Sequence, residues 1–218
     1  SGSDNIAIGL NALFQNDTSN NIAIGNSALY STISGDRNVA IGKNALTANT
    51  GSSNTAIGLN ALTANTSGTS NVAIGDSALA TNLTGSFYVA IGNNALNLST
   101  VGSLIAIGHN ALQNNTSGTG NLAIGQSALN ANTTGTDNLA IGFNALALNV
   151  TGLLNLAIGE SSLSANVGGS RNLGLGYASL NQNTTGTDNV AIGQSCLLFN
   201  LTGNDNVAVG SGALVNST

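Results

Sequence analysis

The sequence predicts an all-β fold, a parallel β-solenoid of thirteen coils with a repeat of 16 or 17 residues. A motif close to Asn-(Val/Ile/Leu)-Ala-Ile-Gly-x-(Asn/Ser)-Ala-Leu-x-x-Asn-x-Thr-Gly-x-x recurs from end to end. A leucine follows the strand glycine by four residues in every copy. The strand glycines are Gly9, Gly25, Gly42, Gly58, Gly75, Gly92, Gly108, Gly125, Gly142, Gly159, Gly176, Gly193 and Gly210. One copy is too short to bury its own apolar face, so neighbouring copies must stack.

The first part of each copy is predicted to be a strand. In Asn71–Gly75, alternation places Val72 and Ile74 on one side and Ala73 and Gly75 on the other. Both sides are apolar, which is typical of a strand buried on both faces in a parallel arrangement. We predict that the Val and Ile side faces the core. The Ala and Gly side would then meet a second backbone layer at close approach.

The second part of each copy is predicted to return the chain to the next strand. Its Ala-Leu step adds another inward leucine, and Asn-x-Thr-Gly supplies residues that tolerate left-handed or turn conformations. Helices are disfavoured by the recurrent glycine, asparagine and β-branched residues. Hairpins are disfavoured because Asn-Gly and Asp-Gly never occur and Gly-Gly occurs once, at Gly168–Gly169. Parallel coiling remains, and at ~4.8 Å per coil it predicts a rod on the order of 60 Å long.

Two rows of asparagine support stacked coils. The first asparagine stands four residues before the strand glycine in eleven of thirteen copies, with Tyr88 and Leu104 as the exceptions. The second asparagine stands seven residues after that glycine in ten copies. Identical amides in register can bond to one another and to the turn backbone, so we predict two asparagine ladders.

Composition excludes several classes of partner. Lys and Arg number only 3 and the net charge is −5, which disfavours nucleic acid and anionic lipid. No apolar run approaches the ~20 residues of a membrane span, so membrane insertion is not expected. A single cysteine rules out a disulfide framework.

Two rows of variable residues carry nine of the eleven charged side chains. The post-glycine row directly follows each strand glycine, and the pre-asparagine row directly precedes each first asparagine. Unpaired charges are costly to bury, so both rows are expected to face solvent or a partner. The candidate partner-contact residues are Lys43, His109, Phe143, Glu160 and Tyr177 in the post-glycine row and Arg37, Phe87 and Arg171 in the pre-asparagine row. The competing interpretation is that both rows are simply solvated.

The sequence predicts no catalytic residue, no cofactor and no metal ligand. Cys196 occupies a slot filled by alanine in ten copies, which indicates small core filler. His109 has no Cys or acidic residue in its own coil to form a relay. Glycan hydrolysis needs two carboxylates ~5–9.5 Å apart, and only Asp188 and Asp205 in stacked coils come near that requirement. We therefore expect a non-enzyme.

Two further motifs have structural explanations. Four Gly-x-Asp-Asn stretches, ending at Asn5, Asn138, Asn189 and Asn206, leave calcium binding open, although the nonapeptide of calcium-binding solenoids is absent. Asn-x-Ser/Thr triplets, for example at Asn82, fall at the turn of the repeat. They indicate turn chemistry rather than glycosylation.

The repeat resembles two families of fibrous proteins. Its Asn-Val-Ala-Ile-Gly core is similar to the head repeats of trimeric autotransporter adhesins. The longer form, as in Asn121–Gly135 and Asn172–Gly186, looks like repeats of bacteriophage tail-fibre-type proteins. The resemblance implies a left-handed β-roll, three chains around an axis and a role in attachment. The adhesin period is shorter, which implies a larger cross-section here.

These observations lead to a functional expectation for residues 1–218 as a single repetitive domain. Neither end has a capping repeat, so we expect a segment of a longer fibre or a subunit that stacks end to end. The predicted function is a structural shaft or head, extracellular or on a cell or virion surface, built as a homotrimer that displays an attachment surface for a glycan or host receptor. The alternative is a solenoid whose polar ladder face binds a repetitive ligand, glycan or ice.

Overall fold

The chain folds into stacked short strands, as a computed structural model of residues 2–100 and 103–216 shows. No helix occurs among these described residues. The chain forms two compact units, Ser1–Ala106 and Ile107–Thr218, and each is described by itself.

Each unit contains one three-residue strand per coil. The strands of the first unit are β1 (Ile6–Ile8), β2 (Gln15–Asn16), β3 (Ile22–Ile24), β4 (Ser31–Thr32), β5 (Val39–Ile41), β6 (Thr55–Ile57), β7 (Val72–Ile74) and β8 (Val89–Ile91), and β9 (Ile105–Ile107) spans the unit boundary. Those of the second unit are β10 (Leu122–Ile124), β11 (Leu139–Ile141), β12 (Leu156–Ile158), β13 (Leu173–Leu175), β14 (Val190–Ile192) and β15 (Val207–Val209). The two-residue strands β2 and β4 pair separately.

Parallel pairing in perfect repeat register confirms the β-solenoid. In the second unit β11 pairs with β12, and Ala140 lies opposite Ala157. In the first unit β7 pairs with β8, and Ala73 lies opposite Ala90. Each residue therefore stacks on its counterpart one copy further along the chain.

The strand faces are reversed relative to the prediction from alternation. Ala73 is fully buried, whereas Val72 and Ile74 on either side of it are only half-buried. The prediction that the Val and Ile side faces the core is therefore wrong. Ala78 and Leu79 of the returning segment are also fully buried. The interior is narrow: at Gly174, which replaces the strand alanine, even a Cβ would lie 3.4 Å from Cδ1 of the inward Leu163. The inward leucine, by contrast, is confirmed.

The left-handed residues also differ from those predicted. The strand glycine, the pre-asparagine residue and the residue two after the strand glycine have positive φ, and so does the inward leucine of every coil. Leu79, for example, has φ 53°. The second glycine of the motif has no left-handed φ in any coil where the structure describes it, so the Asn-x-Thr-Gly segment turns the chain there without one.

Most coils contain two glycines that the backbone of the next coil requires. Gly142 has φ 136°, and a Cβ there would lie 2.5 Å from the carbonyl oxygen of Gly159. A Cβ on Gly135, at the end of a coil, would overlap the carbonyl oxygen of Gly152 and the side-chain oxygen of Asn132. Both glycines thus permit the close approach of successive backbones.

Candidate binding surfaces

The first asparagines form a buried ladder that joins each coil to the next. The backbone N–H of Asn155 donates to Oδ1 of Asn138 at 3.0 Å, and that of Asn172 donates to Oδ1 of Asn155 at 3.0 Å. The side-chain Nδ2 of Asn155 donates to the carbonyl oxygen of Gly169, which closes its own coil. The predicted ladder is confirmed, and it satisfies backbone groups that the corner of a coil would otherwise strand.

The second asparagines form a parallel ladder on the same closing glycines. Nδ2 of Asn149 donates to Oδ1 of Asn132 at 2.8 Å and to the carbonyl oxygen of Gly152 at 3.0 Å. Asn82, in an Asn-x-Thr triplet, is fully buried and bonded in the same way. Its amide nitrogen is thus occupied, which supports the turn interpretation of these triplets.

Tyr88 replaces a rung of the first ladder. Its ring is fully buried, and its hydroxyl lies 3.1 Å from Oγ of Ser99, which replaces the second asparagine of the same coil. The backbone N–H of Tyr88 still donates to Oδ1 of Asn71. Burial raises the pKa of the Tyr88 hydroxyl, and the bond to Ser99 opposes this only in part.

The reversal of the strand faces leaves an aliphatic face on the outside of each unit. This aliphatic face consists of the residues directly before and after each strand alanine. In the second unit it includes Leu139 and Ile141, which are half-buried, and Leu175, which is 40% exposed. Stacking in register makes two rows of large apolar side chains, interrupted in the first unit only by Thr55. These are the rows that the alternation pattern predicts to lie in the core.

The post-glycine row is exposed, as expected. Lys43 in the first unit and His109, Phe143, Glu160 and Tyr177 in the second all face outward. Phe143, Glu160 and Tyr177 occupy three successive coils. The structure places Gln126 and Gln194 in the same row on either side of this trio, and both are exposed. Sequence reasoning did not single out these two residues, although reading down the row would have found them.

The pre-asparagine row is also largely exposed, and each described ion pair includes an arginine of this row. Arg171 donates from Nε and Nη2 to the two carboxylate oxygens of Asp188 in the next coil, each at 2.7 Å. This pairing lowers the pKa of Asp188 and raises that of Arg171. Arg37 pairs with Asp36 at 2.8 Å. Phe87 is 66% exposed.

A shallow trough runs beside the inward leucines of the second unit. It has a volume of about 380 Å³ and is lined by Ser127, Asn130, Asn144, Ala147, Leu148, Ser161 and Ser164. In flanking coils a longer side chain occupies the equivalent space: Asn130 donates to the carbonyl oxygen of Asn110, and Asn181 donates to that of Ser161. Ala147 and Ser164 are too short to do so, which opens the trough.

The side chains considered for catalysis or metal binding are buried, paired or not clustered. The thiol of Cys196 is buried, which raises its pKa, and it contacts the carbonyl oxygen of Ala208. The carboxylate of Asp188, one of the two acids considered for hydrolysis, is held by Arg171. Within residues 2–100 and 103–216, no group of three or more His, Cys, Asp or Glu side chains comes together around a possible metal position. The same part of the chain contains no helix of the length and apolarity that a membrane crossing requires.

Comparisons with known proteins identify no relative of this chain. No protein-family model, no curated protein sequence and no solved structure matches the chain.

Proposed function

We propose that this chain is a structural fibre element that assembles side by side as a homotrimer and displays an attachment surface outside the cell or on a virion. The assembly places the aliphatic face of each chain against its neighbours. The exposed variable rows then remain available for an attachment partner, a surface glycan or a host receptor. The left-handed coil, the three-fold symmetry and the location rest on the resemblance of the repeats to adhesin heads and tail fibres.

The observation that carries this proposal is the aliphatic face. Monomeric soluble proteins rarely expose a continuous apolar surface, and such surfaces mark interfaces. Here every described three-residue strand adds two large apolar side chains to the same rows, as Leu156 and Ile158 do on β12, except β6, where Thr55 takes the first position. A second copy of the same chain is the partner that fits, because it carries an apolar face with the same coil spacing.

The test is the mass of the soluble chain. Light scattering of the wild-type protein is expected to give three times the 21.3 kDa of one chain. A double variant, Ile57→Lys and Ile141→Lys, places one charge on the aliphatic face of each unit and is expected to reduce the mass to that of one chain. An unpaired buried charge costs several kcal/mol, which is enough to dissociate an interface.

The matched control places the same charges elsewhere. Ser67→Lys and Thr134→Lys lie at exposed turn positions of the two units and are expected to leave the mass unchanged. A wild-type protein that stays at 21.3 kDa at every concentration would refute the homotrimer. A trimer that survives both aliphatic substitutions would show that another surface mediates assembly.

The alternative function is a solenoid that binds a repetitive ligand, and ice receives little support. The hydroxyls of Thr66, Thr133 and Thr184 each donate to a carbonyl oxygen of the next coil, so they are not free to order water. The corresponding position also carries Leu83 and Leu201, and no uniform threonine face results. Thermal hysteresis of the purified protein would measure this alternative directly.

A further inference from the structure

Five successive coils of the second unit carry an alternating set of exposed side chains. Gln126, Phe143, Glu160, Tyr177 and Gln194 follow the strand glycines in this order, and we call them the aromatic strip. Backbone bonds fix their stacking: the N–H of the residue after each member donates to the carbonyl oxygen of the member one coil before. These bonds measure 3.0, 2.8, 2.9 and 2.8 Å along the strip.

The two rings of the strip are exposed at a regular interval. Phe143 is 44% exposed and Tyr177 is 52% exposed. They lie two coils apart, which at the spacing of parallel strands is about 10 Å. Glu160 lies between them, and Gln126 and Gln194 lie beyond them. Within the described part of the chain, the side chains of these three polar residues make no hydrogen bond to another residue, so their donors and acceptors are available to a ligand.

The alternation of rings and polar groups matches the chemistry of a sugar chain. The C–H face of a pyranose is apolar and packs on the negative π face of an aromatic ring. Its hydroxyls project from the rim, where carboxylate and amide groups can bond to them. An extended β-linked polysaccharide repeats every two sugars, at nearly the interval between the two rings.

We propose that the aromatic strip binds an extended β-linked polysaccharide, with Phe143 and Tyr177 beneath alternate sugars and Glu160 bonded to the hydroxyls of the sugar between them. Gln126 and Gln194 extend the contact to either side. A nucleic acid strand could also stack on the rings, but Glu160 and the net charge of −5 repel its phosphates. The proposal does not depend on how many chains assemble.

The rest of the chain provides internal controls for the strip. The post-glycine residues of the first unit are Leu10, Asn26, Lys43, Leu59, Asp76 and Asn93, none of them aromatic. Leu59 is exposed in the same row, and Phe199 of the second unit is an exposed ring outside both variable rows. Leu59→Ala therefore controls for loss of apolar area in the row, and Phe199→Ala controls for loss of any exposed ring.

The experiment measures retention of the full chain on insoluble cellulose, chitin and xylan. The wild-type protein is expected to bind at least one of them. Phe143→Ala and Tyr177→Ala are each expected to weaken binding about tenfold, and the double variant to abolish it. Tyr177→Phe keeps the ring and retains binding, and both control variants bind like wild type. Thermal melting should be unchanged throughout, because all substituted side chains are exposed.

Two results would overturn the proposal. One is a folded wild-type protein that none of the three polysaccharides retains. The other is retention that the Phe143→Ala, Tyr177→Ala double variant leaves intact, because binding would then occur at another surface. Neither result bears on the mass of the assembly, so failure here is separable from failure of the fibre proposal.

Discussion

The inward leucine of each coil holds an unfavourable backbone conformation. Leu79 has φ 53°, and a left-handed conformation costs a residue with a Cβ roughly 1–2 kcal/mol. Burying a leucine side chain completely contributes about 1.5–3 kcal/mol. The second quantity exceeds the first. A leucine can therefore occupy a position that its backbone preference alone would give to glycine.

Removing one rung of the first ladder should destabilise the first unit. Asn54 accepts the backbone N–H of Asn71 at 3.0 Å and donates to the carbonyl oxygen of Gly68 at 2.9 Å. Asn54→Ala leaves both groups buried without that partner, and we expect a loss of roughly 3 kcal/mol in urea unfolding. The exposed Asn26→Ala is the control, with a change within about 0.5 kcal/mol. Equal effects of the two substitutions would contradict a stabilising ladder.

Two neighbouring coils share a compensated exception in their interior. Gly174 replaces the strand alanine, and a Cβ there would lie 2.5 Å from Oγ of Ser162 and 3.0 Å from Oγ of Ser179. These serines replace core alanines and bond to each other at 2.9 Å. We expect Gly174→Ala to destabilise the protein by about 1–3 kcal/mol. Adding Ser162→Ala and Ser179→Ala restores the usual residues of other coils and should recover the loss, as thermal unfolding would measure. A strictly additive triple variant would argue against this steric coupling.

Tyr88 should make stability fall at alkaline pH. Its pKa is raised in the folded state above the ordinary value of 10.0. Above pH 10 the unfolded chain therefore loses this proton while the folded chain retains it, and the free energy of unfolding decreases with rising pH. Tyr88→Phe should lose part of this alkaline dependence in urea titrations from pH 8 to pH 11. The variant keeps Cys196 and the other tyrosines, which isolates the Tyr88 contribution. Identical pH profiles would refute it.

The coil is the element that the structure repeats, and most of its contacts recur from one coil to the next. Asn38 contacts Asn54 as Asn54 contacts Asn71. The strand alanines, inward leucines and closing glycines likewise meet their own counterparts. Each coil is thus stabilised chiefly by its two neighbours, as in other solenoids.

Deleting one whole coil should therefore preserve the fold. Removing residues 54–70 joins Ser53 to Asn71, which then meets Asn38 in place of Asn54. We expect an unchanged β-type circular dichroism spectrum and a cooperative unfolding transition. Removing residues 54–61 deletes strand β6 and leaves half a coil that has no strand to stack, so it should abolish folding of the affected coils. Equal tolerance of both deletions would show that register does not matter.

Across the whole molecule, charge contributes little to stability. Only 5% of the residues are charged, and both ion pairs among the described residues are exposed. Exposed ion pairs contribute about 0–1 kcal/mol each and are screened by salt. The amide ladders and the backbone provide the regular contacts instead.

Stability should accordingly be nearly independent of ionic strength. Between low salt and molar sodium chloride, we expect the free energy of unfolding, measured by urea titration, to change by less than about 1 kcal/mol. Arg171→Ala, which removes the bidentate pair with Asp188, should also change it by less than about 1 kcal/mol. A steep salt dependence would indicate an electrostatic contribution that these contacts do not contain.

The sequence predicts the repeat, the parallel stacking and the ladders because period and register follow from identity between copies. It does not predict which strand face is inside. The alternation of Val72 and Ile74 with Ala73 is compatible with either strand face being inside, and the width of the interior decides which face is buried. The left-handed φ of the inward leucines is equally unpredictable from the sequence, because burial overrides their backbone preference. The exposed rows were predictable from their charges, whereas the aromatic strip becomes visible only when one row is read along five coils.

The ladders also bear on how such a gene could change over generations. Each rung requires only an identical rung above and below, so recombination that gains or loses one repeat in phase yields a chain that still folds. Selection can then act separately on the number of repeats and on the outward-facing residues. Residues of the post-glycine row can be substituted one coil at a time, while the buried amides stay the same.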